Sequence, residues 1–166
     1  MRRVWLAAPA LFLLTGCAEL NPARMYQEAA RQLRFSLDRV EPSLQLAFPL
    51  ENSRVAFRLT VGVDNPTQVR FHARSLGGRL SLEEGANTHA IGQVAFSRGL
   101  ELPPGARSQV PVDLSFGYRE LKQAWGPLAA TLHGQKGTWR LDGEAQIDAF
   151  GVPFTLPIRA SKVSGS

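Results

Sequence analysis

From Val55 to Val63 every second residue is large and apolar: Val55, Phe57, Leu59, Val61 and Val63, with Ala56, Arg58, Thr60 and Gly62 between them and Asp64 after. A strict period of two marks a strand with one buried and one solvated face, and a helix cannot gather such a set on one side. The run stops at Asn65-Pro66. Proline fixes φ and removes a ladder donor, while the asparagine side chain can bond the backbone just ahead. Such a strand requires a sheet whose apolar face is covered by a second layer.

The alternation recurs along the chain. Phe35 and Leu37, then Leu44, Leu46 and Phe48, read as half-buried strands broken by Glu41-Pro42 and Pro49. Past the Asn65 corner come Val69, Phe71 and Ala73, then Leu80-Leu82 closed by a turn at Glu83-Glu84-Gly85, then Ala90 to Phe96 closed by Arg98-Gly99. Leu102-Pro103-Pro104-Gly105 turns into Val110, Val112, Leu114 and Phe116. Trp139, Leu141, Gly143, Ala145, Ile147 and Ala149 form a last outgoing strand, with Phe150-Gly151-Val152-Pro153 as the turn and Phe154, Leu156 and Ile158 returning. This cadence predicts a mainly β chain with antiparallel hairpins in a sandwich rather than a βαβ sheet. Only Tyr118, Leu121, Trp125, Leu128 and Leu132 depart from it, recurring at helical steps. They predict one amphipathic helix before the last two strands, bent or split at Gly126-Pro127 and capping one end of the sandwich.

Ahead of the strands, Met1-Arg2-Arg3 and the apolar run Val4 to Leu14 have the form of a signal peptide, the run being too short to span a bilayer as a lasting helix. It ends in Leu14-Thr15-Gly16-Cys17, which resembles the bacterial lipobox. The resemblance implies cleavage after residue 16, diacylglycerol (palmitate and similar chains) on the Cys17 sulfur, and acylation of the new amine. Each buried CH₂ contributes about 0.8 kcal/mol, so two or three chains anchor durably where one does not. Ala18 after the cysteine implies sorting to the outer membrane in a Gram-negative host. The expected organisation is a leader over 1–16, a lipidated tether over 17–33, a sandwich over 34–161 and a flexible tail over 162–166. In the tether, Asn21-Pro22 suits a helix start, with Met25, Ala29 and Leu33 on one side.

Composition excludes more than it assigns. The nineteen Lys and Arg against fourteen Asp and Glu become seventeen against fourteen once Arg2 and Arg3 leave, and the positives are scattered. That lacks the basic stripe a nucleic-acid partner needs. The single cysteine precludes an intramolecular disulfide and a cysteine-based metal site. His72, His89 and His133 have no ligand spacing and read as exposed, and Asp142, Glu144 and Asp148 alternate onto a solvent face. No nucleophile elbow, phosphate loop or dinucleotide fingerprint occurs. Trp125, Trp139 and Phe154 read as packing rather than a ligand cleft. The sequence therefore predicts no catalytic, cofactor-binding or metal-ligating residue, and a protein that is not an enzyme.

At Val61-Gly62-Val63-Asp64-Asn65-Pro66-Thr67 the chain resembles the type 2 late embryogenesis abundant (LEA) family and its related WHy domain. These open with a long alternating strand ending in an Asn-Pro-[Asn/Thr] corner. Leu76-Gly77-Gly78-Arg79-Leu80, Ile91-Gly92, Leu102-Pro103-Pro104-Gly105, Trp139-Arg140-Leu141-Asp142-Gly143-Glu144-Ala145 and Gly151-Val152-Pro153-Phe154 follow in family order, over roughly residues 34 to 160. The resemblance implies an immunoglobulin-like or fibronectin-III-like sandwich with one helix, no cofactor, and a role in tolerance of desiccation or other stress. Asn65, Pro66 and Thr67 would then be structural. The expected protein is an acyl-anchored stress-protection lipoprotein of the bacterial envelope. The alternative is an envelope binding or assembly module that holds a protein, lipid or glycan partner through a sheet edge or a cleft beside the helix.

Overall fold

A computed structural model describes residues 22–122 and 124–164. The leader and the lipobox residues Leu14, Thr15, Gly16 and Cys17 lie outside the described residues. In chain order the elements are α1 (Pro22–Ala30), β1 (Arg34–Gln45), β2 (Arg54–Asn65), β3 (Phe71–Glu84), β4 (Asn87–Phe96), β5 (Leu100–Leu102), β6 (Ala106–Gly117), α2 (Tyr118–Leu121), α3 (Trp125–Leu132), β7 (Thr138–Ala149) and β8 (Val152–Val163). They form the expected antiparallel β-sandwich. One sheet has the order β1-β2-β6 and the other β4-β3-β7-β8, with β5 pairing the start of β3.

The alternating residues of β2 are the centre of the core: Val55, Phe57, Leu59, Val61 and Val63 are each at most 2% exposed. Opposite them lie Leu80 and Leu82 of β3 and Trp139, Leu141, Ala145 and Ile147 of β7, all buried. Phe57 meets Trp139 edge-on across the layers at 5.6 Å between ring centroids, and Phe116 at 5.9 Å. Aromatic pairs in that geometry add about 0.5–1.5 kcal/mol beyond the area they bury. Phe116 also lies over Gly92, where an added Cβ would stand 2.2 Å from the ring, so β6 closes onto β4 along one flank. Along the other flank β1 lies against β8.

Sheet edges carry their own protection. Proline cannot donate to a ladder, and Pro42 sits in edge strand β1, Pro111 in edge strand β6, and Pro153 and Pro157 in edge strand β8. Edge strand β4 has no proline, but its pairing is irregular where Ile91 is inserted between Ala90 and Gly92.

Several expectations are corrected, mostly by bulges. β1 does not break at Glu41-Pro42. It runs unbroken to Gln45, because proline is tolerated at an edge, and the inward side switches from Phe35 and Leu37 to Val40 at the bulged Asp38. Leu46 and Phe48 lie beyond its end at 68% and 97% exposure, not on a half-buried strand. Likewise Phe71-Ala73 and Leu80-Leu82 are one strand with a bulge at Arg74, and Glu83 and Glu84 belong to that strand rather than to a turn. The expected single helix is two short ones, and the break precedes Gly126-Pro127. Pro127 then falls in the first turn of α3, where its missing N–H and its ring cost nothing. α3 ends in a Schellman motif, with Gln135 N–H donating to the Ala130 carbonyl and Gly134, at φ 94°, donating to Thr131.

At the ends of the domain, α1 packs through Tyr26, Ala29 and Ala30, with Leu33 just after it, and leaves Met25 57% exposed. β8 continues beyond Ser161 to Val163, where Ser164 Oγ accepts from Gly137 N–H at 2.8 Å.

Candidate functional site

The corner that ends β2 is the most densely bonded place in the fold. Asn65 is 1% exposed and Thr67 8%. The Asn65 Nδ2 donates to the carbonyls of Val69 at 2.8 Å and of Leu102 and Pro103 at 3.0 Å each. Its Oδ1 accepts from Thr67 N–H at 3.1 Å and from Thr67 Oγ1 at 2.7 Å, and Thr67 Oγ1 in turn accepts from Val69 N–H. The sequence reading foresaw the bond just ahead. It did not see the reach to Leu102 and Pro103, which ties β2 to the turn before β6 and fixes how that end of the two sheets meets. In these contacts Asn65 and Thr67 hold backbone segments to one another, with Pro66 between them.

A second polar cluster crosses the outer face of the three-stranded sheet. Arg107 donates to Asp64 at 2.8 Å, to Ser36 Oγ at 2.9 Å, and to Asp38. The bulge at Asp38 turns that carboxylate toward the guanidinium. An added Cβ at Gly62 would stand 2.5 Å from both the Arg107 Nη2 and the Ser36 Oγ, so only glycine leaves room beneath the cluster. Partial burial pushes the Asp38 carboxyl up, but hydrogen bonds from Arg107 and Ser36 outweigh it and hold the group below the usual aspartate range. The hydrogen bond to Asp38 raises Arg107 in turn. On the other sheet, Arg140 meets Glu83 at 2.6 Å and Asp142 at 3.7 Å, and its pKa rises chiefly through the bond to Glu83. Arg74, extruded by its bulge, meets Asp148 at 2.6 Å. The sequence carries no signal for these pairings, since they depend on register.

Beside α3 a groove of about 560 Å³ opens between β1 and β8, with Thr131 and Leu132 on one wall, Asp38 and Arg39 on another, Lys162 at the rim and Trp139 at its floor. This is the cleft beside the helix that the sequence reading left open. Next to it Leu44, Leu132 and Val163 are 40%, 36% and 48% exposed. Trp125 packs on Tyr118 at 5.0 Å, and Phe154 sits half-buried on β8, so the three aromatics do not share a cleft. His72 bonds Glu101 at 2.8 Å, while His89 and His133 stand on other elements. Among the described residues no group of three or more His, Cys, Asp or Glu converges.

No protein-family model matches the sequence, and no curated protein matches it. Solved structures resemble it in part. A protein of Arabidopsis thaliana is 15% identical with a TM-score of 0.48, the match covering 78% of each chain. A protein from Archaeoglobus fulgidus is 13% identical with a TM-score of 0.44, covering 77% of this chain and 95% of the other. The putative ApaA protein from Bordetella pertussis is 16% identical with a TM-score of 0.38, over 80% and 93% of the two chains.

Proposed function

We propose that the chain is a non-enzymatic lipoprotein of the LEA type 2/WHy kind, held at a membrane by acyl chains on Cys17 and protecting the cell envelope during desiccation or related stress. The observation that carries this reading is the Asn65-Pro66-Thr67 corner. Two of the residues by which the sequence resembles the family, Asn65 and Thr67, build the buried network joining the two sheets. Around that interior the outward faces are laid with arginine–carboxylate pairs: Arg58 with Asp113, Arg74 with Asp148, Arg107 with Asp64, and Arg140 with Glu83. Such a surface is strongly hydrated and, with both signs interspersed, resists self-association as water is withdrawn. Outer-membrane placement in a Gram-negative host follows from Ala18. The test is survival of drying by a deletion strain and a complemented strain side by side. Loss of viability restored by the gene is expected, and equal survival rejects the reading.

A second reading, an envelope assembly module, is favoured by the groove beside α3 and the exposed Leu44, Leu132 and Val163 at it. The cleft suits that role better than a sheet edge, because the edge strands are blunted by proline or a bulge. A photo-crosslinker at position 132, in cells with native membranes, would trap one stoichiometric partner if this reading holds.

A further inference from the structure

Register places one set of chain segments at a common end of the sandwich. Arg34 opens β1 opposite Asp64, and the β7–β8 turn closes where Ala149 faces Val152. His72 lies opposite both Asp148 and Glu101, so the starts of β3, β5 and β8 share that end with the Asn65 corner. α1 packs there too, with Tyr26 stacked at 5.1 Å from Phe150.

The turn itself is unusual. Phe150 and Gly151 both have positive φ, 51° and 83°, as a two-residue type I′ turn requires. Asparagine, aspartate or glycine suits the first position, and a bulky side chain there is strained. Phe150 is nevertheless the residue present, and it is 75% exposed. An aromatic side chain that is costly in backbone conformation, touched by Tyr26 and otherwise left in water, points to a use outside the fold. Beside it Met25 is 57% exposed.

Chain length says what reaches this end. Four residues separate Cys17 from Pro22, the first described residue of α1, and the five Cα–Cα steps span at most about 17 Å when extended. The opposite end, with α3 and Phe48, stands about 40 Å away along twelve-residue strands. Charge is compatible with this without singling the end out, since Arg54 and Arg119 at the opposite end also have no ion pair among the described residues. Asp64, Asp148 and Glu101 at this end each have a cationic or histidine partner, whereas exposed Arg24, Arg34 and Arg70 have no ion pair among the described residues.

We infer that this end rests on an anionic lipid bilayer surface, Phe150 and Met25 entering the headgroup layer with Arg24, Arg34 and Arg70 around them. The inference depends on the acyl anchor at Cys17 proposed above and adds an orientation, which an anchor alone leaves free. The contact can be weak, because the anchor already supplies a high effective concentration of bilayer.

The full-length precursor would be expressed in a bacterial host, extracted from membranes, and its intact mass used to read acylation. It would then be placed in phosphatidylethanolamine–phosphatidylglycerol vesicles with brominated acyl chains. Phe150→Trp and Met25→Trp report this end, Phe48→Trp reports the other, and Trp125 and Trp139 give the same background in all three. With an acylated mass, quenching at least about threefold stronger at positions 150 and 25 than at 48 is expected for side chains held some 5–10 Å into the interface. Equal or stronger quenching at position 48 overturns the orientation while the anchor stands, and an unacylated mass overturns both. A blue-shifted, unquenched Phe150→Trp signal that grows with protein density would show that a second copy covers the tip, and also overturns it. Quenching unchanged without phosphatidylglycerol would overturn the role of the arginines.

Discussion

Replacing Asn65 by alanine should be the most damaging polar substitution in the domain. The truncation strips a donor from the carbonyls of Val69, Leu102 and Pro103 and an acceptor from the Thr67 N–H and hydroxyl. Val69 and Pro103 are half-buried, so water can replace the lost bond there, whereas Leu102 at 0% and Thr67 at 8% exposure are not so served. Two orphaned buried groups at about 1–3 kcal/mol each give a loss near 3–4 kcal/mol. That is a large part of the roughly 5–15 kcal/mol that holds a typical domain together, and corresponds to a Tm lower by about 10 °C. Urea unfolding followed through Trp139, buried against Phe57, reads the change directly. Asn65→Asp keeps the volume but turns a carboxylate oxygen toward three carbonyls. Its folded-state pKa is then raised, so the variant should be least stable at neutral pH and recover as the new acid protonates. An Asn65→Ala protein within about 1 kcal/mol of the parent would refute the reasoning, since water would then be reaching groups assigned to the interior.

Because the Asp38 carboxyl is held low in the folded protein, its contribution is present at neutral pH and is lost as pH falls through the acidic range. Arg107→Ala should therefore flatten the acid limb of a stability–pH profile and move the Asp38 carboxyl resonance up in an NMR titration. Gly92→Ala should cost about 1–3 kcal/mol by driving a methyl into the Phe116 ring, measurable by thermal unfolding, and Phe116→Leu in the same chain should recover part of it. In a Tyr26→Ala background, which removes the ring stacked on Phe150, Phe150→Asn should raise stability by about 1 kcal/mol by relieving the left-handed turn position. No gain in calorimetry would show that the turn is unstrained.

The layer structure was legible because period-two alternation reports which side of a strand is dry, and Val55 to Val63 is that pattern undisturbed. It became illegible wherever one residue is inserted. Asp38 and Arg74 each shift the register, so β1 and β3 each read as two pieces out of phase, and a bulge has no compositional mark of its own. Glycine within a strand has a different meaning from glycine in a turn. Gly77-Gly78 resembles a turn signal, but it lies within β3, where an added Cβ at Gly143 of β7 would stand 2.0 Å from the Gly77 carbonyl oxygen; the glycines allow two backbones to approach. Of the Asn65 site, the local half could be read from Asn-Pro-Thr. The other half depends on Leu102 lying thirty-seven residues onward, which only the tertiary fold brings near. The Arg107 cluster was not legible, because it depends on strands distant in sequence meeting at one register, and for the same reason the groove beside α3 was legible in its place but not in its lining. Phe150 read simply as part of a turn, and its strain appears only with φ.

The account depends most on Cys17 as the start of the mature chain. Intact mass and N-terminal peptide mapping of the protein extracted from its own membranes test this directly. The prediction is a polypeptide beginning at Cys17 that carries diacylglycerol on sulfur and stays with the membrane after an alkaline carbonate wash. A chain that begins elsewhere, or that carries a free Cys17 thiol in the soluble fraction, would contradict it.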